Sequence, residues 1–264
     1  MRIIEQFIKG KNKNQALCED RLLVTDNFIA VIDGVTSKSG NTINGKTGGC
    51  VGADALCNTI KKLPKDINVY DAVNSVTDAI SDLYSPYEEK GWIAACGIIY
   101  SISRKEIWNI GDCQCIINDR LFTHEKEIDR VLSQKRAEVI EEAIKSGMRE
   151  EELYTNDFGR EAILSQLKEQ HKFANSNDEY SYPVFNGTPI PQKMINIYKV
   201  HTGDTIILAS DGYPYLCNTL EESELLLQKE LKENPLCYKG YKSTKGLQKG
   251  NTSFDDRAYI KFTV

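Results

Sequence analysis

Apolar residues along this chain fall into two rhythms. Short runs dense in β-branched and aromatic residues read as strands. LLVTDNFIAVIDG gives two of them joined at Asp26-Asn27, a good turn dipeptide, and WIAACGIIYSI and EIWNIGDCQCIIN follow. Residues 47–63 (TGGCVGADALCNTIKKL) instead carry apolar side chains at helical spacing and stop before Pro64, and residues 70–84 repeat that pattern. From 124 to 172 the chain is charged and helix-favouring throughout. It lies between strand-rich parts, so it reads as a helical insertion within one domain spanning residues 1–264. Strands resume at 194–200 and 204–210, a helix fits 219–233, and SFDDRAYIKFTV closes the chain as a strand. There is no internal repeat and no low-complexity linker. Strands with helices between them predict an α+β fold, with helices packed outside a sheet or a pair of sheets.

Composition narrows the class of partner. Hydrophobic residues make up 41% and charged residues 27%, a globular balance that can bury a core without staples. The net charge is 33 − 38 = −5, spread along the chain, which argues against nucleic acid as a partner. No run approaches the roughly 18 apolar residues of a membrane span, and MRIIEQFIKGKNKN has too short an apolar stretch for a signal peptide. No membrane partner and a cytoplasmic location are therefore expected. Eight cysteines form no Cys-x-x-Cys pair and the three histidines are far apart, so zinc is not expected and the thiols read as reduced. Cys113 and Cys115 share one face of a strand, where packing is preferred over a redox switch, and His201 reads as a surface turn residue.

The chemistry sits where apolar strands stop on a carboxylate beside a glycine. FIAVIDG ends on Asp33-Gly34, TIILASDG ends on Asp211-Gly212, and EIWNIGD ends on Gly111-Asp112. Asp255-Asp256 directly precedes the last strand, and Glu19-Asp20 precedes what reads as the first. A carboxylate at a strand end has a fixed position, and the glycine lets a backbone oxygen or ligand approach. Each Asp-Gly alone is also a common turn. Carboxylates converging on one point repel unless a cation lies between them, and an oxygen-only donor set suits Mg²⁺ or Mn²⁺.

The order of these motifs resembles the type 2C, metal-dependent serine/threonine protein phosphatases over nearly the whole chain. Glu19-Asp20 in LCEDRLLV is similar to the family's opening acidic pair, and Asp33-Gly34 in AVIDGV to its metal-bridging Asp-Gly. Gly111-Asp112 in WNIGDCQC, Asp211-Gly212 in ILASDGYP and Asp255-Asp256 in FDDRAYIKF resemble the three later motifs. The resemblance implies a four-layer α-β-β-α sandwich, two antiparallel sheets flanked by helix pairs. It also implies hydrolysis of phosphoserine and phosphothreonine in a phosphoprotein substrate, with two Mg²⁺ or Mn²⁺ ions activating a water and no phospho-enzyme intermediate. Asp33 would bridge both ions, the Gly34 carbonyl would bind one, Asp211 and Asp255 the other, and Glu19 or Asp20 would complete the set. The chain would act as a monomer.

Four departures accompany the resemblance. Val35-Thr36-Ser37 stands where relatives often have His-Gly-Gly, and Ala258 where Thr or Ser is usual. The phosphate-binding Arg before the acidic pair is absent, with Lys11 and Lys13 nearby as substitutes that act as point charges rather than forks. Residues 124–172 occupy the place of a variable flap, and Glu125 and Asp129 are the candidates there for a third-metal carboxylate. These departures keep open an alternative, a catalytically weak pseudophosphatase that binds phosphoproteins as a regulator.

Overall fold

A computed structural model describes residues 1–36, 40–84 and 91–264, so Ser37 lies outside the described residues. The chain begins with β1 (Arg2–Lys9), β2 (Arg21–Val24) and β3 (Phe28–Gly34). The small hairpin β4 (Thr42–Ile43) and β5 (Lys46–Thr47) leads into helices α1 (Gly48–Ile60) and α2 (Val69–Ser81). Strands β6 (Ala95–Ser101), β7 (Glu106–Ile110), β8 (Gln114–Ile117) and β9 (Arg120–Phe122) precede helices α3 (Glu127–Lys145), α4 (Glu150–Thr155) and α5 (Phe158–Glu169). Strands β10 (Asn196–Lys199) and β11 (Thr205–Ala209), helix α6 (Leu220–Glu233) and strand β12 (Arg257–Thr263) complete the order.

The long strands form two five-stranded antiparallel sheets, ordered β1-β12-β11-β8-β9 and β10-β7-β6-β3-β2. Alternation along single strands stacks the layers. In β3, Phe28, Ala30 and Ile32 pack with Leu56, Val73 and Ile80 of α1 and α2, while Ile29 and Val31 point into the space between the sheets. In β12, Ala258, Ile260 and Phe262 fill that same space, while Tyr259 packs outward with Leu227 of α6. Strands buried on both faces read as continuous apolar runs, which is why β3, β6 and β11 stand out in the sequence. The result is helices, sheet, sheet, helices, the α+β sandwich expected.

Two local results differ from the sequence reading or add to it. The first strand is β1, ahead of Glu19-Asp20, pairing with β12 at the edge of its sheet. A bulge between Ile3 and Glu5 interrupts its register, and Ile3, Ile4 and Ile8 stay exposed, so the segment lacks clean alternation. The run EIWNIGDCQCIIN, whose first strand stops at Gly111-Asp112 as expected, also changes sheet there, leaving β7 in one sheet and β8 in the other. Gly111 makes that crossing possible: its φ is +109°, and a Cβ there would sit 2.3 Å from the Cys96 Sγ.

The charged stretch after β9 folds as α3, α4 and α5. Ile128 and Leu132 of α3 pack on Ile163 and Leu167 of α5, and Ala137 and Ile140 pack with Leu153, Leu236 and Tyr238. Arg136, fully buried, ties these parts together. Its Nη2 donates to Asp157 at 2.7 Å and its Nη1 to the carbonyls of Leu236 and Ser243 at 2.8 and 3.0 Å. All eight cysteines are free, with Cys113 and Cys115 fully buried between the sheets. Among the described residues no helix is long and apolar enough to cross a membrane.

Candidate metal and phosphate site

Asp33 at the end of β3, Asp112 at the crossing between the sheets and Asp211 after β11 come from three separate places in the chain. Each offers a carboxylate oxygen, and these oxygens all lie within 4.8 Å of one another. Two buried amides fix the loops that carry them. Asn109 Nδ2 donates to the Cys113 carbonyl at 2.8 Å beside Asp112, and Gln114 Nε2 donates to the Tyr213 carbonyl at 2.9 Å beyond Asp211. The glycine after Asp33 is required by close approach, since a Cβ on Gly34 would lie 2.5 Å from the Gly49 carbonyl oxygen.

Charge is only partly balanced here. Burial, then the charges of Asp211, Asp20 and Asp112, push the Asp33 carboxyl well above the usual range. Asp211 is pushed up to about 7 by its packed surroundings and by Asp112 and Asp255. Burial acts the same way on Asp112, but the Lys126 ammonium at 2.6 Å outweighs it and holds that carboxyl below its ordinary value. The second oxygen of Asp112, Oδ1, is buried with no hydrogen-bond partner. Three converging carboxylates, one of them with a buried oxygen that lacks a hydrogen-bond partner, are an environment a hard cation satisfies, so the donor set fits Mg²⁺ or Mn²⁺.

The other residues singled out from sequence occupy a second ring. Glu19, 3% exposed, accepts from the hydroxyls of Thr36 and Thr47, each at 2.5 Å, and from Lys11 Nζ at 3.3 Å. Asp20, 1% exposed, accepts from Ser210 Oγ at 2.6 Å, and burial raises its carboxyl strongly. The same Ser210 Oγ accepts from the Ala258 N–H at 2.9 Å, so the hydroxyl lacking at position 258 is present across the sheet at 210. Asp255 lies outside the group of three and takes ammoniums instead, Lys11 at 2.9 Å and Lys245, which hold it well below the usual carboxylate range against burial. Its neighbour Asp256 is a backbone anchor, accepting from the N–H groups of Lys11 at 2.6 Å and Glu19 at 2.9 Å. Gly34 lines the cleft beside Asp33, whereas Lys13 is exposed and is not among the residues lining it.

A cleft of about 1180 Å³ opens over these groups, walled by Lys11, Tyr213, Tyr241, Lys245 and residues of α3 and α5. Glu125 and Asp129 lie on its wall outside the carboxylate group, and Asp129 accepts from Gln170 Nε2 at 2.8 Å. Lys126, Lys245 and Ser210 are the groups the sequence reading passed over. Ser210 directly precedes Asp211 and could have been noticed there; nothing local marks either lysine.

No family model matches the sequence, and no curated protein matches it. Solved structures do match. The catalytic domain of the serine threonine protein phosphatase PstP, in complex with two manganese ions, superposes with a TM-score of 0.52 at 12% identity, covering 100% of each chain. The serine/threonine phosphatase Stp1 from Staphylococcus aureus gives 0.51 at 15%, covering 98% of this chain and 94% of that one. A bacterial serine phosphatase gives 0.50 at 14%, covering 98% and 96%. Identity this low speaks for the architecture: the chain has the fold of the type 2C, metal-dependent serine/threonine protein phosphatases.

Proposed function

We propose that the protein hydrolyses phosphoserine and phosphothreonine in proteins, using Mg²⁺ or Mn²⁺ held by Asp33, Asp112 and Asp211, with the Gly34 carbonyl and Asp255 beside them. The observation that carries this reading is the convergence of three carboxylates from three chain segments, one of which, Asp112, keeps a buried oxygen without a hydrogen-bond partner. Such ions, when bound, supply positive charge to phosphate oxygens and lower the pKa of a coordinated water.

The chain's own groups have complementary tasks. Lys11, bonded to Glu19, Thr36 and Asp255, presents an ammonium on the cleft wall, and Lys245 presents another from the opposite side of Asp255. Both can turn toward phosphate oxygens, as point charges in place of an arginine fork. Asp256 fixes the Lys11 backbone, and Ser210 fixes Asp20 behind the site, so the oxygens hold their places without rearrangement. Helices α3 and α5 wall the cleft as a flap. The free thiols suit a cytoplasmic setting.

A second reading has one observation in its favour. Lys11 and Lys245 neutralise Asp255, and Lys126 neutralises Asp112, so part of the site is charge-balanced with no cation. That suits a pseudophosphatase which binds phosphoproteins without turning them over. Hydrolysis of p-nitrophenyl phosphate and of a phosphoserine peptide, in Mn²⁺ and then in excess EDTA, separates the two. The phosphatase reading expects turnover that EDTA abolishes, and it fails if turnover survives chelation or never appears.

A further inference from the structure

Arg160 is placed where a folding argument alone would not put it. It stands in the first turn of α5, where the helix dipole disfavours a cation. It is half-buried on the cleft wall beside a second buried guanidinium, Arg136. Its only hydrogen bond from the side chain among the described residues runs from Nη1 to the Thr244 carbonyl at 2.8 Å, and it makes no ion pair among them. The carboxylates that face it are engaged elsewhere. Asp157 is held by Arg136, Asp255 by Lys11 and Lys245, and Asp129 by Gln170. Burial consequently lowers the guanidinium below its ordinary value, the mark of a cation short of a counter-charge.

Two more cations line the same cleft. Lys242 meets only the neutral Gln134 amide, at 2.6 Å, and Lys168, in the last turn of α5, makes no ion pair among the described residues. Three cations without an ion pair among the described residues thus line one cleft of a chain with net charge −5, a local positive field that an anion would complete. Thr244, which takes the Arg160 hydrogen bond, directly precedes Lys245, whose ammonium is on Asp255. The cationic wall therefore adjoins the carboxylate group without entering it.

We infer that Arg160, with Lys168 and Lys242, forms an oxyanion subsite for an acidic group flanking the phosphorylated residue of the substrate, either a carboxylate or a second phosphate. This rests on the proposed phosphatase reading for its substrate class. The guanidinium's remaining donors match either group bidentately.

The test measures binding apart from turnover. Fluorescence anisotropy in EDTA compares three phosphoserine peptides, flanked by Asp and Glu, by a second phosphoserine, or by Ala. Wild type should bind the two acidic peptides at least about tenfold more tightly than the Ala-flanked one. A larger gain for the second phosphate identifies phosphate as the preferred group, and equal gains identify charge alone. Arg160→Gln should erase the preference while p-nitrophenyl phosphate turnover in Mn²⁺ stays within about twofold of wild type, because that substrate has no flanking group. The double variant Lys168→Gln, Lys242→Gln, changed only on the cleft rim, should reduce the preference with the fold intact. Equal affinity for all three peptides, a preference surviving Arg160→Gln, or a parallel loss of p-nitrophenyl phosphate turnover would each overturn the subsite. An Arg160-dependent preference without hydrolysis of any phosphoester would keep the subsite and remove the phosphatase reading.

Discussion

Replacing Asp33 by Asn changes one charge in the carboxylate group and almost no volume. Two unit charges 4.8 Å apart, the widest separation in the group, repel by about 3.5 kcal/mol at the effective dielectric of roughly 20 that suits protein sites. Asp33 faces two such neighbours. Its raised carboxyl means that the metal-free protein already relieves part of this by keeping a proton, so the gain left for Asn is on the order of 1 kcal/mol. Asn can still donate to Asp211, which Asp33 contacts by a side-chain hydrogen bond. Metal-free Asp33→Asn should therefore melt at or slightly above wild type. Mn²⁺ reverses the ranking. At a hundred times its dissociation constant a ligand adds about 2.7 kcal/mol. For a chain of this size that raises the wild-type Tm by roughly 5–10 °C. The variant should gain under about 2 °C and lose activity by orders of magnitude. Asp26→Asn, in the turn between β2 and β3, is the control that should change neither. Scanning calorimetry with and without Mn²⁺, beside p-nitrophenyl phosphate turnover, reads all of this. A full Mn²⁺ shift and wild-type turnover in Asp33→Asn would refute the site.

Three further outcomes follow from the same geometry. In EDTA the folded protein holds protons on Asp20, Asp33 and Asp211 that the unfolded chain releases, so its stability falls as pH rises through about 7; Tm should be higher at pH 6.5 than at pH 8, and a flat or opposite slope would contradict the clustered arrangement. Saturating Mn²⁺ should remove that slope, because the cation displaces the protons. Ser210→Ala removes the hydroxyl bridging Asp20 and the Ala258 N–H, leaving buried groups unsatisfied at a cost of about 1–3 kcal/mol by denaturant titration; an unchanged midpoint would mean water replaces it. Gly111→Ala sets a Cβ against Cys96 at positive φ, so it should destabilise by about 1–3 kcal/mol or more and weaken Mn²⁺ binding by displacing Asp112, read by calorimetry, with retained affinity counting against that coupling.

The sequence was most legible where burial is two-sided. FIAVIDG and TIILASDG announce both a strand and the carboxylate that ends it, because an unbroken apolar run (Phe28–Ile32, Ile206–Ala209) marks the part of the strand inside the core. It was least legible at edges and at adjacent charges. β1 is half exposed and bulged, so its isoleucines carry no period. Asp255 and Asp256 are equivalent as letters, yet consecutive residues point differently: one takes ammoniums, the other backbone N–H groups. Asp112 was visible as a motif, but its convergence with Asp33 and Asp211 depends on a change of sheet hidden inside one apolar run. Arg160 and Lys245 reach the cleft only through tertiary packing, which no local pattern encodes.

Because β7 and β8 belong to different sheets, the three carboxylates also belong to different slabs: Asp33 to one, Asp211 to the other, and Asp112 to the strap between them. A sliding of one slab over the other would change the opening between their oxygens directly. What resists that shear is the interleaf of side chains in the middle, with the Tyr100 and Phe262 rings tilted against each other, centroids 5.1 Å apart, among Ile29, Ile98 and Leu208. Close-packed interiors give way in steps rather than smoothly. The spacing of the three carboxylates is thus set by residues with no polar atom near them, and a cation held between them as proposed would act as a rivet against the slip of the two slabs.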